Sequence, residues 1–188
     1  MAELVDAHDS NSCAFGRVGS IPTFGTINGF FQILALENNQ SINQSEKQNK
    51  YDRAYLKMAL EWGTLSHCER KKVGALIVKD RMIISDGFNG TPTGFDNYCE
   101  DDEGYTKWYV LHAEANAILK TAKSNHNCSN ATLYLTLSPC KECSKLIHQS
   151  GIKRLVYINQ YKDTSGLDFL IEAGVEIREI SDYKLNAK

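Results

Sequence analysis

His112 and Glu114 stand two residues apart, and Cys140 and Cys143 follow three residues apart behind Pro139. One imidazole, two thiols and one carboxylate are the parts of a hydrolytic zinc site. Zinc binds tetrahedrally through nitrogen and sulfur, and a catalytic zinc keeps three protein ligands and leaves the fourth position to water. Water on the metal ionises with a pKa of about 7. The reading that follows makes His112, Cys140 and Cys143 the zinc ligands. Glu114 is then a carboxylate that moves protons without joining the metal. Each piece alone is common, since a C-x-x-C pair also serves structural zinc half-sites and redox centres. The combination is what carries the signal.

Two helix starts must converge to build such a site. Cys140 and Cys143, at i and i+3, share one face of the first turn of a helix read over Cys140–Ser150, so both thiols reach one metal. Pro139 suits the entry to that helix, where a missing N–H costs little. The positive end of the helix favours thiolates over thiols. A second helix opens near His112 and runs to about Lys123. Around them, apolar runs read as strands at Val73–Val78, Met82–Asp86, Ala131–Leu137, Lys153–Ile158 and Val175–Ile180. Lys79-Asp80-Arg81 makes a turn between the first two, and helical spacing marks 51–65 and Leu167–Ala173. From 131 onward strands and helices alternate, which implies parallel pairing with right-handed crossovers. The expected architecture is a three-layer α/β/α sandwich around a five-stranded mixed sheet.

The first 50 residues differ from the rest. Residues 1–29 scatter Gly, Ser and Asn without a sustained period, and 37–50 are rich in Asn, Gln, Ser and Lys. They read as a disordered extension and polar linker ahead of a catalytic domain over 51–188. Met1–Thr26 resembles a transfer-RNA gene read as protein, which implies a start further downstream; a partner-docking arm is the functional alternative.

Composition narrows the function classes. The chain has 188 residues, 42% hydrophobic and 23% charged, as in an ordinary soluble domain with a substantial core. A net charge of −2 supplies no global basic field, so no polynucleotide partner is expected. Ala2-Glu3-Leu4-Val5-Asp6 lacks a signal peptide's basic n-region, and the apolar run at 30–36 is too short to span a bilayer. No membrane partner is expected, and the six cysteines fit a reducing cytoplasm.

H-x-E followed by P-C-x-x-C resembles the zinc deaminases of cytosine and adenine rings. Over about Tyr51–Ile180 the chain more specifically resembles the deoxycytidylate (dCMP) deaminase family. The motifs are Ser66-x-Cys68-x-Arg70 and Val73-Gly-Ala, then Gly87-Phe88-Asn89-Gly90-Thr91-Pro92-x-Gly94. His112-Ala-Glu114-x-Asn116-Ala117-Ile118, Leu137-Ser138-Pro139-Cys140-x-x-Cys143-x-Lys145 and Gln149-Ser150-Gly151-Ile152-Lys153 continue the pattern. The resemblance implies a cytidine deaminase-like fold, a Zn2+ cofactor and hydrolysis of dCMP to dUMP and ammonia, a supply of dUMP for thymidylate synthesis. It implies that Glu114 carries protons to the ring nitrogen and the leaving amine.

The resemblance also sets Asn89 on the sugar, Arg70 and Ser66 on the 5′-phosphate, and Tyr161 near the base or an effector. Asn89 reads otherwise as an Asn-Gly turn residue, Arg70 as part of a solvated basic turn with Lys71 and Lys72, and Tyr161 as a surface aromatic. Cys68 and Cys99 resemble positions that hold a second zinc in some relatives, with His67 and the acidic run after Asn97 to complete it; an unpaired buried Cys68 beside a solvated acidic loop is the other reading. A homohexamer activated by dCTP and inhibited by dTTP is implied as well, with part of the effector site at Gly90–Gly94. The nearest rival is a tRNA adenosine deaminase, disfavoured by the charge and by Lys141-Glu142 between the cysteines. A non-catalytic zinc-binding interaction module is the rival of another class, disfavoured by Glu114.

Overall fold

The computed structural model describes residues 24–181, with side chains described over 41–181. The expectations for residues 1–23 lie outside the described residues. The first element is helix α1, Phe24–Thr64, and the chain divides within it at Gln44/Ser45. The unit from Ser45 onward holds the sheet.

Strands β1 (Gly74–Lys79) and β2 (Met82–Phe88) form an antiparallel hairpin. Asp80 and Arg81 take φ of 51° and 64°, the two left-handed residues of a tight turn whose twist matches its strands. Helix α2 spans Ala113–Thr121, strand β3 Thr132–Leu137, and helix α3 Lys141–Gln149. Strand β4 (Arg154–Asn159), helix α4 (Ser165–Glu172) and strand β5 (Glu176–Glu179) complete the unit. The sheet order is β2-β1-β3-β4-β5. β1 is antiparallel to both neighbours, while β3, β4 and β5 run parallel, as the strand–helix alternation predicts. This is the expected five-stranded mixed sheet.

Strand side chains alternate, so each sheet face builds its own core. On one face Ala75, Ile77, Leu133, Leu135 and Leu155 pack under Ala113 and Ala117 of α2, Ile147 of α3 and Leu170 of α4. On the other, Leu76, Val78, Tyr134, Val156 and Ile158 pack under Tyr55, Leu56 and Ala59 of α1. The result is a three-layer sandwich. β1, β3 and β4 are buried on both faces and therefore read as continuous apolar runs.

Two close approaches set the helices that matter. A Cβ on Gly87 of β2 would sit 2.2 Å from the Ala113 carbonyl oxygen, so only glycine lets α2 begin there. A Cβ on Gly166 of α4 would meet the Pro139 carbonyl oxygen at 2.7 Å, against the entry to α3.

The structure differs from the sequence expectation at α1. Residues 37–50, read as a polar linker, lie within the helix. Gln48 and Asn49 also bond into the sheet unit: Gln48 Nε2 donates to Asp52 at 2.9 Å, and Arg178 donates to Asn49 Oδ1. Among the described residues no helix is long and apolar enough to cross a membrane.

Candidate active site

His112 is the N-cap of α2, and Cys140 is the N-cap of α3. Glu114 lies in the first turn of α2 and Cys143 in the first turn of α3. Hydrogen bonds between side chains and backbone, with one within the backbone, fix both starts. Asn116 Nδ2 donates to the Phe88 carbonyl at 2.8 Å and Ser85 Oγ to the Ala117 carbonyl at 2.6 Å, tying α2 to β2. The Ser138 N–H donates to the Asn159 carbonyl, and the Tyr161 N–H to Ser138 Oγ, holding the end of β3 beside that of β4.

These starts bring one imidazole nitrogen and two sulfurs within 4.8 Å of one another. Nδ1 of His112 lies 3.5 Å from Cys140 Sγ and 3.4 Å from Cys143 Sγ. With zinc–ligand bonds of about 2.05 Å to nitrogen and about 2.3 Å to sulfur, a tetrahedral ion sets such a pair roughly 3.5 Å apart. The donor set and its spacing therefore fit zinc. Hydrogen bonds from Cys143 and His112 draw the Cys140 thiol down to about 3. The bond to Cys140 and burial push the Cys143 thiol up, and the bond to Cys140 holds the His112 imidazole above its usual range despite burial.

Glu114 is 4% exposed. Burial raises its carboxyl above the usual range. It opens with His112 and Cys140 onto a cavity of about 360 Å³, within the range of small-molecule sites.

Residues 49–159 match the cytidine and deoxycytidylate deaminase zinc-binding region. The chain belongs to this deaminase family. It is 34% identical over 164 residues to the deoxycytidylate deaminase of Enterobacteria phage T4, covering 64% of this chain and 85% of that protein. Identity to the Saccharomyces cerevisiae deoxycytidylate deaminase is 31% over 160 residues, covering 80% of this chain and 51% of that protein. The crystal structure of dCMP deaminase from the cyanophage S-TIM5 in complex with dCMP and dUMP matches with a TM-score of 0.67 at 46% identity. That match covers 68% of this chain and 94% of the other. The five-stranded sandwich is thus the family's fold.

The other residues singled out in the sequence divide three ways. Arg70, Asn89 and Tyr161 line the same cavity as His112 and Glu114. The Asn89 amide is also a brace, with Oδ1 accepting from the Val73 N–H at 2.8 Å and Nδ2 donating to the Lys71 carbonyl at 2.7 Å. An amide so bonded keeps a second lone pair and a second proton for a ligand.

Ser66 is buried, and its hydroxyl donates to the Asn89 carbonyl at 2.7 Å and accepts from the Cys68 N–H at 3.2 Å. In this structure it braces Asn89 beside the cavity.

Cys68 and Cys99 are joined by a disulfide, so in this structure neither sulfur is available to a second metal, and Cys68 is not the unpaired thiol of the other reading. Among the described residues the only metal-holding group is His112, Cys140 and Cys143.

Lys162 and Thr106, which sequence reasoning missed, also line the cavity, as does Glu100, read from the sequence only as part of an acidic run. Their loops are distant in sequence, and no motif ties them to the cavity. Tyr161-Lys162 directly after β4 was the available signal, since ligands gather outside the carboxyl ends of parallel strands.

Proposed function

We propose that this chain hydrolyses dCMP to dUMP and ammonia. The carrying observation is that one cavity is lined by both His112–Glu114–Cys140 and the cations Arg70, Lys71 and Lys162. The first group suits attack on an aminated ring; the second suits a phosphomonoester. The S-TIM5 enzyme bound to dCMP and dUMP supports this choice of substrate.

His112, Cys140 and Cys143 would hold the zinc, which when bound supplies a Lewis acid and water ionisable near neutrality. Glu114 is the proton carrier. Buried, with its carboxyl raised above the usual range, it can take a proton from the attacking water and give it to the ring nitrogen N3, then protonate the exocyclic nitrogen, which leaves as ammonia when its bond to the ring carbon breaks. Arg70 offers a planar fork that pairs two phosphate oxygens at once. Asn89 presents its remaining amide valences to the sugar, and Tyr161 an aromatic wall to the base. The same reading carries homo-oligomer assembly and regulation by dCTP and dTTP.

The test offers purified zinc-loaded protein dCMP, dCTP, deoxycytidine and a tRNA anticodon stem in separate reactions and follows ammonia. Release is expected from dCMP, with at most about a hundredth of that efficiency on deoxycytidine, because lost charge-assisted bonds to phosphate cost about 1.5–3 kcal/mol each. Release from the anticodon stem and not from dCMP would overturn the reading in favour of a tRNA adenosine deaminase. No release from any of them would favour a zinc-binding interaction module.

A further inference from the structure

The segment from Cys99 to Lys107 folds back on itself. Glu100 and Thr106 form an isolated antiparallel bridge, Asp101 N–H donates to the Tyr105 carbonyl, and Lys107 N–H donates to the Cys99 carbonyl. This small hairpin touches residues 68–70 at three consecutive points. Cys99 is bonded to Cys68. The Glu100 carboxylate accepts the backbone N–H groups of Glu69 and Arg70, both at 3.2 Å. Thr106 Oγ1 accepts from Arg70 Nη1 at 3.1 Å. Arg70, Glu100 and Thr106 all line the catalytic cavity.

Arg70 is otherwise an exposed side chain with several rotatable bonds. An arginine of that kind loses rotamer entropy when it engages a ligand, so holding it in place beforehand raises affinity. The hairpin supplies this hold twice, once on the backbone through Glu100 and once on the guanidinium through Thr106. A hydroxyl that accepts from Arg70 also keeps its own proton to give. Thr106 can therefore turn the guanidinium toward an anion and donate to the same anion.

We propose that Thr106 and Glu100 are positioning residues that set Arg70 for the substrate's phosphate, making the 99–107 hairpin a determinant of selectivity for the monophosphate. This rests on the dCMP reading above and adds which residues enforce it. Neither residue belongs to the metal centre, so the hairpin acts on binding and leaves the chemical step alone.

The experiment measures kcat and KM for dCMP in the wild type, Thr106→Val and Thr106→Ser, with zinc content checked in each. Thr106→Val matches the shape and removes both hydrogen-bonding roles. Its KM is expected to rise about tenfold, the equivalent of one charge-assisted hydrogen bond, with kcat within about twofold of wild type. Thr106→Ser is expected to restore KM to within about threefold. A Thr106→Val enzyme with wild-type KM overturns the inference and leaves the dCMP reading standing. So does a fall in kcat at unchanged KM, which marks a merely structural role. A wild-type protein that releases no ammonia from dCMP overturns the reading itself, and this inference with it.

Discussion

Glu114→Gln is expected to keep about one zinc per chain and to lose about 10³-fold in kcat on dCMP, within the range for removing a general acid–base group. The three metal-holding atoms are on His112, Cys140 and Cys143, so the substitution leaves that group whole. Gln matches the shape of a side chain that is 4% exposed, so packing at the start of α2 is retained. What is lost is an oxygen that can take up and return a proton. The loss is large because one carboxyl serves both the ring nitrogen and the leaving amine, and no second carboxyl in the cavity comes from α2 or α3. Metal analysis beside an ammonia assay checks it. Turnover within about tenfold of wild type would reject the proton-carrier role.

The second large effect concerns stability, on the sheet face away from the site. Asp52 of α1 is fully buried. It accepts from Arg154 at 2.8 and 2.7 Å, from Arg178 at 3.1 Å, from Tyr134 at 2.8 Å and from Gln48 at 2.9 Å. One carboxylate thereby ties α1 to β3, β4 and β5. Burial alone would raise its pKa, but the bonds from Arg154, Gln48 and Tyr134 outweigh burial and bring it below the usual carboxylate value. Breaking a buried ion pair at one partner costs about 3–5 kcal/mol. Asp52→Asn is therefore expected to lower Tm by roughly 10–15 °C for a chain of this size.

The effect carries a pH signature. A folded pKa depressed below the unfolded value of about 3.9 gives stability that is complete above that value. It is lost as pH falls through the folded pKa. Urea midpoints for wild type and Asp52→Asn should thus differ fully at pH 7, begin to converge only below about pH 4, and meet below the depressed folded pKa. A gap independent of pH would show that the carboxylate's charge is not what stabilises the fold.

Much of this architecture is legible in the sequence because it is local. The apolar runs of β1, β3 and β4 sit on strands buried on both faces, and the helix starts at His112 and Cys140 follow from their motifs. Other features were hidden for physical reasons. Residues 37–50 have no apolar stripe, so their pattern reads as linker; Gln, Glu and Lys are nevertheless good helix formers, and the segment extends a helix that is packed further on. Cys68 and Cys99 are 31 residues apart, and their spacing in the sequence does not fix which atoms they bond. Ser66 and Asn89 lie 23 residues apart, so the bond from the Ser66 hydroxyl to the Asn89 carbonyl belongs to the fold and to no local pattern. Asp52 and its arginines are 102 and 126 residues apart, beyond any local pattern.

The most direct test of the central claim is a zinc titration of chelator-treated protein with dCMP as substrate. Ammonia release is expected to be negligible without metal and to rise linearly to a plateau at about one zinc per chain. Undiminished release from the metal-free protein, or none at saturating zinc, would contradict the account.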